Sequence, residues 1–269
     1  MAWKTLKQQE DVFSSHTITE AIWIITYDTA SVVHGLLKQL YLASMTKNSV
    51  NIAELAFMAS GNIEMFVAGT ETTSSTFEWG MAEILRKPDA YKKIVMELDQ
   101  VVGKDQFVEE SDISNLPYLP AAVKEVFWLH PAIPLLVPRS TNEACEVSGY
   151  HIRKGCIVLV NVWGMARDPS VWEDPYEFKP ERFLGSNIDV KGHDFNLIPF
   201  GSGNRSRIGL PLGHHMVHFY LAALIHAFEW EFPDDILDNV EERMGLTIQK
   251  GKTLVGLPKP RLSDSAYLH

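Results

Sequence analysis

The chain has 269 residues, 24 Lys and Arg against 34 Asp and Glu, and a net charge of −10. Hydrophobic residues make up 46% and charged residues 22%, the balance of a globular chain with room for one large domain or two small ones. The acidic surplus argues against a nucleic-acid partner, because neutralising phosphates needs clustered Lys and Arg.

Two cysteines, Cys145 and Cys156, flank a predicted hairpin, and no secretory signal is evident, which argues against a disulfide framework. The apolar run "AIWIITY" is far short of the roughly 20 residues that a membrane-spanning helix needs. The chain therefore reads as belonging to a reducing compartment, cytoplasmic or at most peripheral.

Residues 1–50 are weakly organised: "TITEAIWIITYD" has strand-like β-branched content, and "GLLKQLYLASM" fits a short amphipathic helix. From Ile52 to about Arg86 the apolar positions Ala56, Ala59, Ile63, Phe66, Val67, Phe77, Met81, Ile84 and Leu85 recur at helical spacing. "AGTETTSST" interrupts this helix with Gly69 and a run of hydroxyls, all poor helix formers. The interruption is either a local distortion that opens a groove, a polar notch in a buried helix, or a break at Gly69.

Two more helices follow. "KPDAYKKIVMELDQVVG" has Pro88 at its start and Gly103 past its end, and "LPYLPAAVKEVFWLHP" is entered at Pro120 and stopped before Pro131. "ACEV", "HI" and the apolar "CIVLVNV" read as strands, with turns at "SGY" and "RKG". "RDPSVWEDPYEFKPERF" reads as a packed meandering loop. A Gly-rich basic loop, "PFGSGNRSRIG", precedes the long apolar helix "LPLGHHMVHFYLAALIHAFEWEF". In the tail "LTIQKGKTLVGLPKP", Lys-Gly marks a turn between short strands. The predicted class is mainly α with a minor β-sheet. Trp163, Trp172 and Trp230 read as packing aromatics. His214 and His218 share a helix face at zinc-like spacing, but without the Glu of H-E-x-x-H they read as hydrogen-bonded or partly exposed histidines, with a haem or metal ligand as the alternative.

Four of these stretches occur in a fixed order: "AGTETT" (68–73), "KEVFWLHP" (124–131), "FKPERF" (178–183) and "PFGSGNRSRIG" (199–209). Together they resemble the C-terminal half of a cytochrome P450 of the plant microsomal type, over roughly residues 52–260. "DVFSSHTIT" (11–19) also resembles a segment near the start of that family's catalytic domain. The resemblance thus implies an incomplete P450 fold. Residues 1–50 would be a remnant of the N-terminal part, and residues 51–269 the C-terminal half.

By that resemblance the family's reaction is O₂- and NADPH-dependent monooxygenation at a haem iron held by a cysteine thiolate. The substrate would be a small hydrophobic plant metabolite, the electron donor an NADPH-dependent reductase, and the family's location the endoplasmic-reticulum membrane. Glu71 and Thr72 match the family's distal proton-relay positions, and Ala68 and Gly69 leave room over the haem. Arg139 and Arg205 match the arginines that pair with the haem propionates. Phe200, Gly203 and Gly209 match the haem loop, and Glu125 and Arg182 match two members of a buried ion-pair triad.

Two positions depart from the pattern. Arg207 stands at the cysteine position, and a guanidinium has no accessible lone pair for iron. Trp128 stands at the Arg of Glu-x-x-Arg, which is expected to leave Glu125 and Arg182 without their shared partner. Impaired haem-thiolate chemistry is the expectation; the alternatives are a functional monooxygenase with unusual ligation or an error in the sequence, and, from another class, haem-independent binding of a hydrophobic ligand or a partner chain.

Overall fold

Apolar periodicity and chain punctuation place the helices, as a computed structural model of the protein shows. It describes residues 69–203, 209–233, 236–245 and 247–268, with 37–38, 40–41, 44–45 and 50–51 besides. "TITEAIWIITYD" and the first part of the predicted long helix, residues 52–68, lie outside the described residues. In "GLLKQLYLASM" the described positions are helical, and Leu37 and Leu40 are buried in the core.

Helix α1 (Glu71–Arg86) follows a π turn at Gly69–Thr70. The notch is therefore a local distortion. Ser74 Oγ donates to the Glu71 carbonyl at 3.1 Å and Thr76 Oγ1 to that of Thr72 at 2.8 Å, so the hydroxyls are absorbed by the helix's own backbone. Helix α2 (Pro88–Val101) buries Ala90, Ile94 and Leu98 along one stripe. Helix α3 (Tyr118–Leu129) begins two residues before Pro120. Its start is fixed by Glu97 of α2, whose carboxylate accepts from the Tyr118 and Leu119 amides at 2.6 and 3.0 Å. A carboxylate at orphan N-terminal amides is favoured both as a cap and by the helix dipole.

Strand β1 (Val50–Asn51) is taken up below. Strand β2 (Arg139–Ser140) pairs antiparallel with β5 (Ile157–Val158), and between them β3 (Cys145–Val147) and β4 (Tyr150–Ile152) form a hairpin. Its turn has positive φ at both Ser148 and Gly149, 50° and 84°, the twist that matches a two-residue hairpin. "CIVLVNV" does not stay a strand. It pairs only at Ile157–Val158, and helix α4 (Val162–Ala166) starts because the Asn161 side chain accepts from the Gly164 amide at 2.9 Å. Ile157 is left 74% exposed.

Helix α5 (Leu210–Ala227) is apolar on all sides and buried without a break from Met216 to Ala227, so it is the centre of the helical layer. It packs against α1, where Gly80 is a close approach: a Cβ there would lie 3.0 Å from Leu221 Cδ1. Strand β6 (Phe228–Glu231) continues from α5, and β9 (Val255–Pro260) lies between β6 and β1, all antiparallel. Strands β7 (Glu242–Met244) and β8 (Ile248–Lys250) form a separate hairpin, so the strands on either side of the Lys-Gly turn do not pair with each other. Helix α6 (Asp264–Leu268) ends the description.

A buried polar brace joins three of these elements. His130, just past α3, places Nε2 3.0 Å from Glu83 Oε1 of α1 and Nδ1 3.2 Å from Glu242 Oε1 of β7. Its ring stacks on Trp79 at 3.8 Å. Arg86 pairs with Glu83 at 2.5 Å, while Arg167 lies 3.4 Å from Glu242 and Trp163 Nε1 donates to it at 3.1 Å. Burial opposes charge on Glu83, but His130 and Arg86 outweigh it and hold the carboxyl below its ordinary range. Removing the imidazole leaves Glu83 short of a buried partner, so His130→Ala is expected to cost about 3–5 kcal/mol. Urea unfolding checks this, and a loss below about 1 kcal/mol would show that the brace carries little of the stability.

Candidate functional site

The distal notch, the haem-type loop and the last long helix meet at Gly213. A Cβ on Gly213 would lie 3.8 Å from Phe200 Cε1 and 3.9 Å from Thr73 Oγ1, so α1, α5 and the segment leading into the loop converge there. Phe200 sets its ring against Phe127 of α3 at 5.3 Å. Arg139 of β2 turns onto the same loop and donates from Nη2 to the Ser202 carbonyl at 3.1 Å. Ser202 Oγ in turn donates to the Gly192 carbonyl at 2.6 Å. Gly203 is exposed, and Gly209 caps α5, its carbonyl accepting from the Gly213 amide at 2.9 Å. Ala68, Arg205 and Arg207 lie outside the described residues.

Glu71 opens α1, and Gly69 is half-buried in the π turn just before it. The Glu71 carboxylate is engaged: Oε1 accepts from Thr247 Oγ1 and from Gln249 Nε2, both at 2.9 Å. Ser75 Oγ donates to the Ile248 carbonyl at 2.5 Å, and the Ile248 amide donates to the Ala132 carbonyl at 3.0 Å. The β7–β8 hairpin is thus stitched onto the side of α1 that carries the notch. Thr72 follows Glu71 in the first turn of α1, and its carbonyl accepts from Thr76 Oγ1. Thr247 and Gln249 escaped the sequence reading. Their pairing with a residue 176 and 178 positions away leaves no trace in local spacing.

On the other side of α3, Glu125 and Arg182 are not orphaned by Trp128. Arg182 Nε donates to both Glu125 oxygens, at 3.1 and 3.0 Å, and the Lys179 amide adds a third bond at 2.8 Å. The rest of the guanidinium donates to the carbonyls of Glu173, Asp174 and Glu177. Trp128 lies beneath it, with Arg182 Cζ 4.3 Å from the ring centroid, and Trp172 and Phe183 pack around the indole. A desolvated cation–π contact is worth about 2 kcal/mol, so the aromatic ring replaces part of what a second arginine would supply. It does not neutralise charge. Glu125 is fully buried, and burial pushes its carboxyl up to about 7 against the pull of the Lys179 amide and Arg182. Among the described residues the Trp128 Nε1 proton finds no acceptor.

The donor chemistry does not fit a haem-thiolate. By the family resemblance the ligand position of the loop is Arg207, whose guanidinium would offer iron no lone pair. Cys145 begins exposed strand β3 and Cys156 precedes β5, and both are free thiols outside the loop. Among the described residues no three His, Cys, Asp or Glu are grouped to hold a metal ion, and no helix is long and apolar enough to cross a membrane.

Glu125 gives the site a pH signature. Its carboxyl sits at about 7 in the folded chain against 4.5 for the free group, so the folded chain holds the extra proton between those values. Stability from this group is therefore present at acid pH and falls as pH rises through 7, by roughly 3 kcal/mol in all. Glu125→Gln is expected to remove that slope, and Trp128→Arg to flatten it by adding a second cation. Urea midpoints across the pH range measure both. An unchanged slope in Glu125→Gln assigns the pH dependence elsewhere.

Comparison with known proteins agrees with this geometry. The cytochrome P450 family model matches residues 34–257. An iridoid oxidase of Catharanthus roseus is 52% identical over 205 residues, 74% of this chain and 39% of that protein. A flavonoid 3'-monooxygenase of Arabidopsis thaliana is 50% identical over 212 residues, 76% of this chain and 41% of that protein. A zebrafish cytochrome P450 solved with progesterone superposes with a TM-score of 0.66 at 33% identity, covering 74% of this chain and 44% of its own. The chain thus spans about two fifths of the length of the curated relatives it matches. With the family model matched over residues 34–257 and about half of the aligned residues shared with plant relatives, the chain belongs to the cytochrome P450 family.

Proposed function

We propose that this chain is a plant secondary-metabolism P450 relative that keeps the family's frame and is impaired in its haem-thiolate chemistry. In this reading residues 51–269 are the C-terminal half of the fold and residues 1–50 a remnant of the part before it. Glu71 and Thr72 are inherited distal relay positions, with Ala68 and Gly69 beside them. Arg139 and Arg205 stand at propionate-pairing positions, and Phe200, Gly203 and Gly209 frame the loop. Glu125 and Arg182 form the structural clamp behind it. The names of the similar iridoid oxidase and flavonoid 3'-monooxygenase support a small hydrophobic secondary metabolite as the ancestral substrate class. An NADPH-dependent reductase is the electron donor that this class implies.

One observation carries the impairment: Arg207 occupies the thiolate position of an otherwise intact loop frame. A cation there neither donates to iron nor tolerates it nearby. The engaged state of Glu71 supports the same reading, since its Oε1 serves Thr247 and Gln249. The test is the absorbance spectrum of purified, haem-supplemented chain, reduced and exposed to carbon monoxide. No thiolate-type band is expected from the chain as written, whereas Arg207→Cys with Trp128→Arg is expected to gain one. Stoichiometric haem with a thiolate-type spectrum in the unaltered chain overturns the proposal.

A further inference from the structure

His214 and His218 belong to α5 but to none of the contacts that hold the frame together. They lie at i and i+4 on one face, their ring centroids 4.2 Å apart and their planes tilted by 45°. His218 is 97% buried by its 3% exposure, and its Nδ1 lies 2.6 Å from the His214 carbonyl. A carbonyl only accepts, so Nδ1 carries the proton and Nε2 presents the lone pair. This is the way metal-binding histidines are oriented, the outer ring nitrogen tied to a backbone oxygen and the inner one left to ligate. His214 is half-buried and lies nearly parallel to Phe127 of α3, 6.1 Å away at 12°, which fixes the second ring. Among the described residues neither nitrogen of His214 nor Nε2 of His218 has a hydrogen-bond partner.

Both rings are also neutral at ordinary pH. Burial lowers His214 to about 4 and His218 to about 3, and the neighbouring charges add to this: Lys124 for both rings and Lys191 for His214. Asp189 faces His214 with the opposite sign. His215 points away toward Glu110, 3.2 Å from its carboxylate, and takes no part. Two neutral imidazoles with no carboxylate between them suit a nitrogen-preferring late first-row ion and not a hard cation such as Mg²⁺ or Ca²⁺.

We propose that His214 and His218 form a two-histidine site on α5 for a late transition-metal ion, Cu²⁺ ahead of Zn²⁺, with water completing the coordination. The site uses neither Arg207 nor any residue assigned a role in the proposed function. The probe is CuCl₂ titrated into the full chain in a non-coordinating buffer, followed by calorimetry and by electron paramagnetic resonance of the bound ion. The expected result is one saturable equivalent with nitrogen hyperfine structure, weakened at least ten-fold in His214→Asn and in His218→Asn. His151→Asn, on exposed strand β4, is expected to leave it unchanged. ZnCl₂ is expected to bind the same site more weakly, in the general order of divalent affinities. Absence of saturable copper binding overturns the proposal, as does binding that survives His214→Asn at full strength or falls equally in His151→Asn. Should His218→Asn fail to fold, His214→Asn decides alone, because that ring is half-exposed.

Discussion

The imidazole of His130 sits where three chain segments far apart in sequence have to agree. It leaves α3, meets Glu83 of α1 on one nitrogen and Glu242 of β7 on the other, and lies flat on Trp79. A buried carboxylate is costly unless paired, so neither Glu83 nor the base of the β7–β8 hairpin is stable in any other arrangement. The hairpin so anchored then delivers Thr247 and Gln249 to Glu71 and the Ile248 carbonyl to Ser75. What surrounds the distal notch is therefore set by a charge pattern about three helical turns away along α1.

The Glu125–Arg182 pair is built on the same physics with an aromatic ring as its third member. Glu125 and Arg182 remain in contact because the guanidinium has carbonyl acceptors of its own and an indole to lie on. The clamp has one cation for a fully buried carboxylate, and the cost appears in the carboxyl's affinity for protons. Shape and chemistry have come apart here. In sequence the loop keeps Phe200, Gly203 and Gly209, with Arg207 between the last two.

Much of this was legible in the sequence because helical periodicity and Pro and Gly punctuation are local signals. α2 and α5 fall where their apolar stripes and Pro residues put them, and the hydroxyl-rich notch shows as a π turn. The start of α3 was shifted because its cap comes from Glu97 of another helix. "CIVLVNV" has strand propensity throughout, but the Asn161 cap turned its end into α4. The Glu71 contacts and the stacking of Arg182 on Trp128 were not legible, since both depend on how distant segments dock. Motif order singled out Glu125 and Arg182 but said nothing of how Arg182 would settle on an indole.

That adjustment changes how the clamp answers to temperature. The desolvation penalty of an ion pair shrinks on warming, so a purely ionic triad holds better as the chain heats. Burying the Trp128 ring instead adds apolar surface, whose removal from water enlarges the heat capacity of unfolding and sharpens the curvature of stability with temperature. Apolar contacts also weaken on cooling. With an indole beneath Arg182, the clamp has its weak season in the cold and not in the heat.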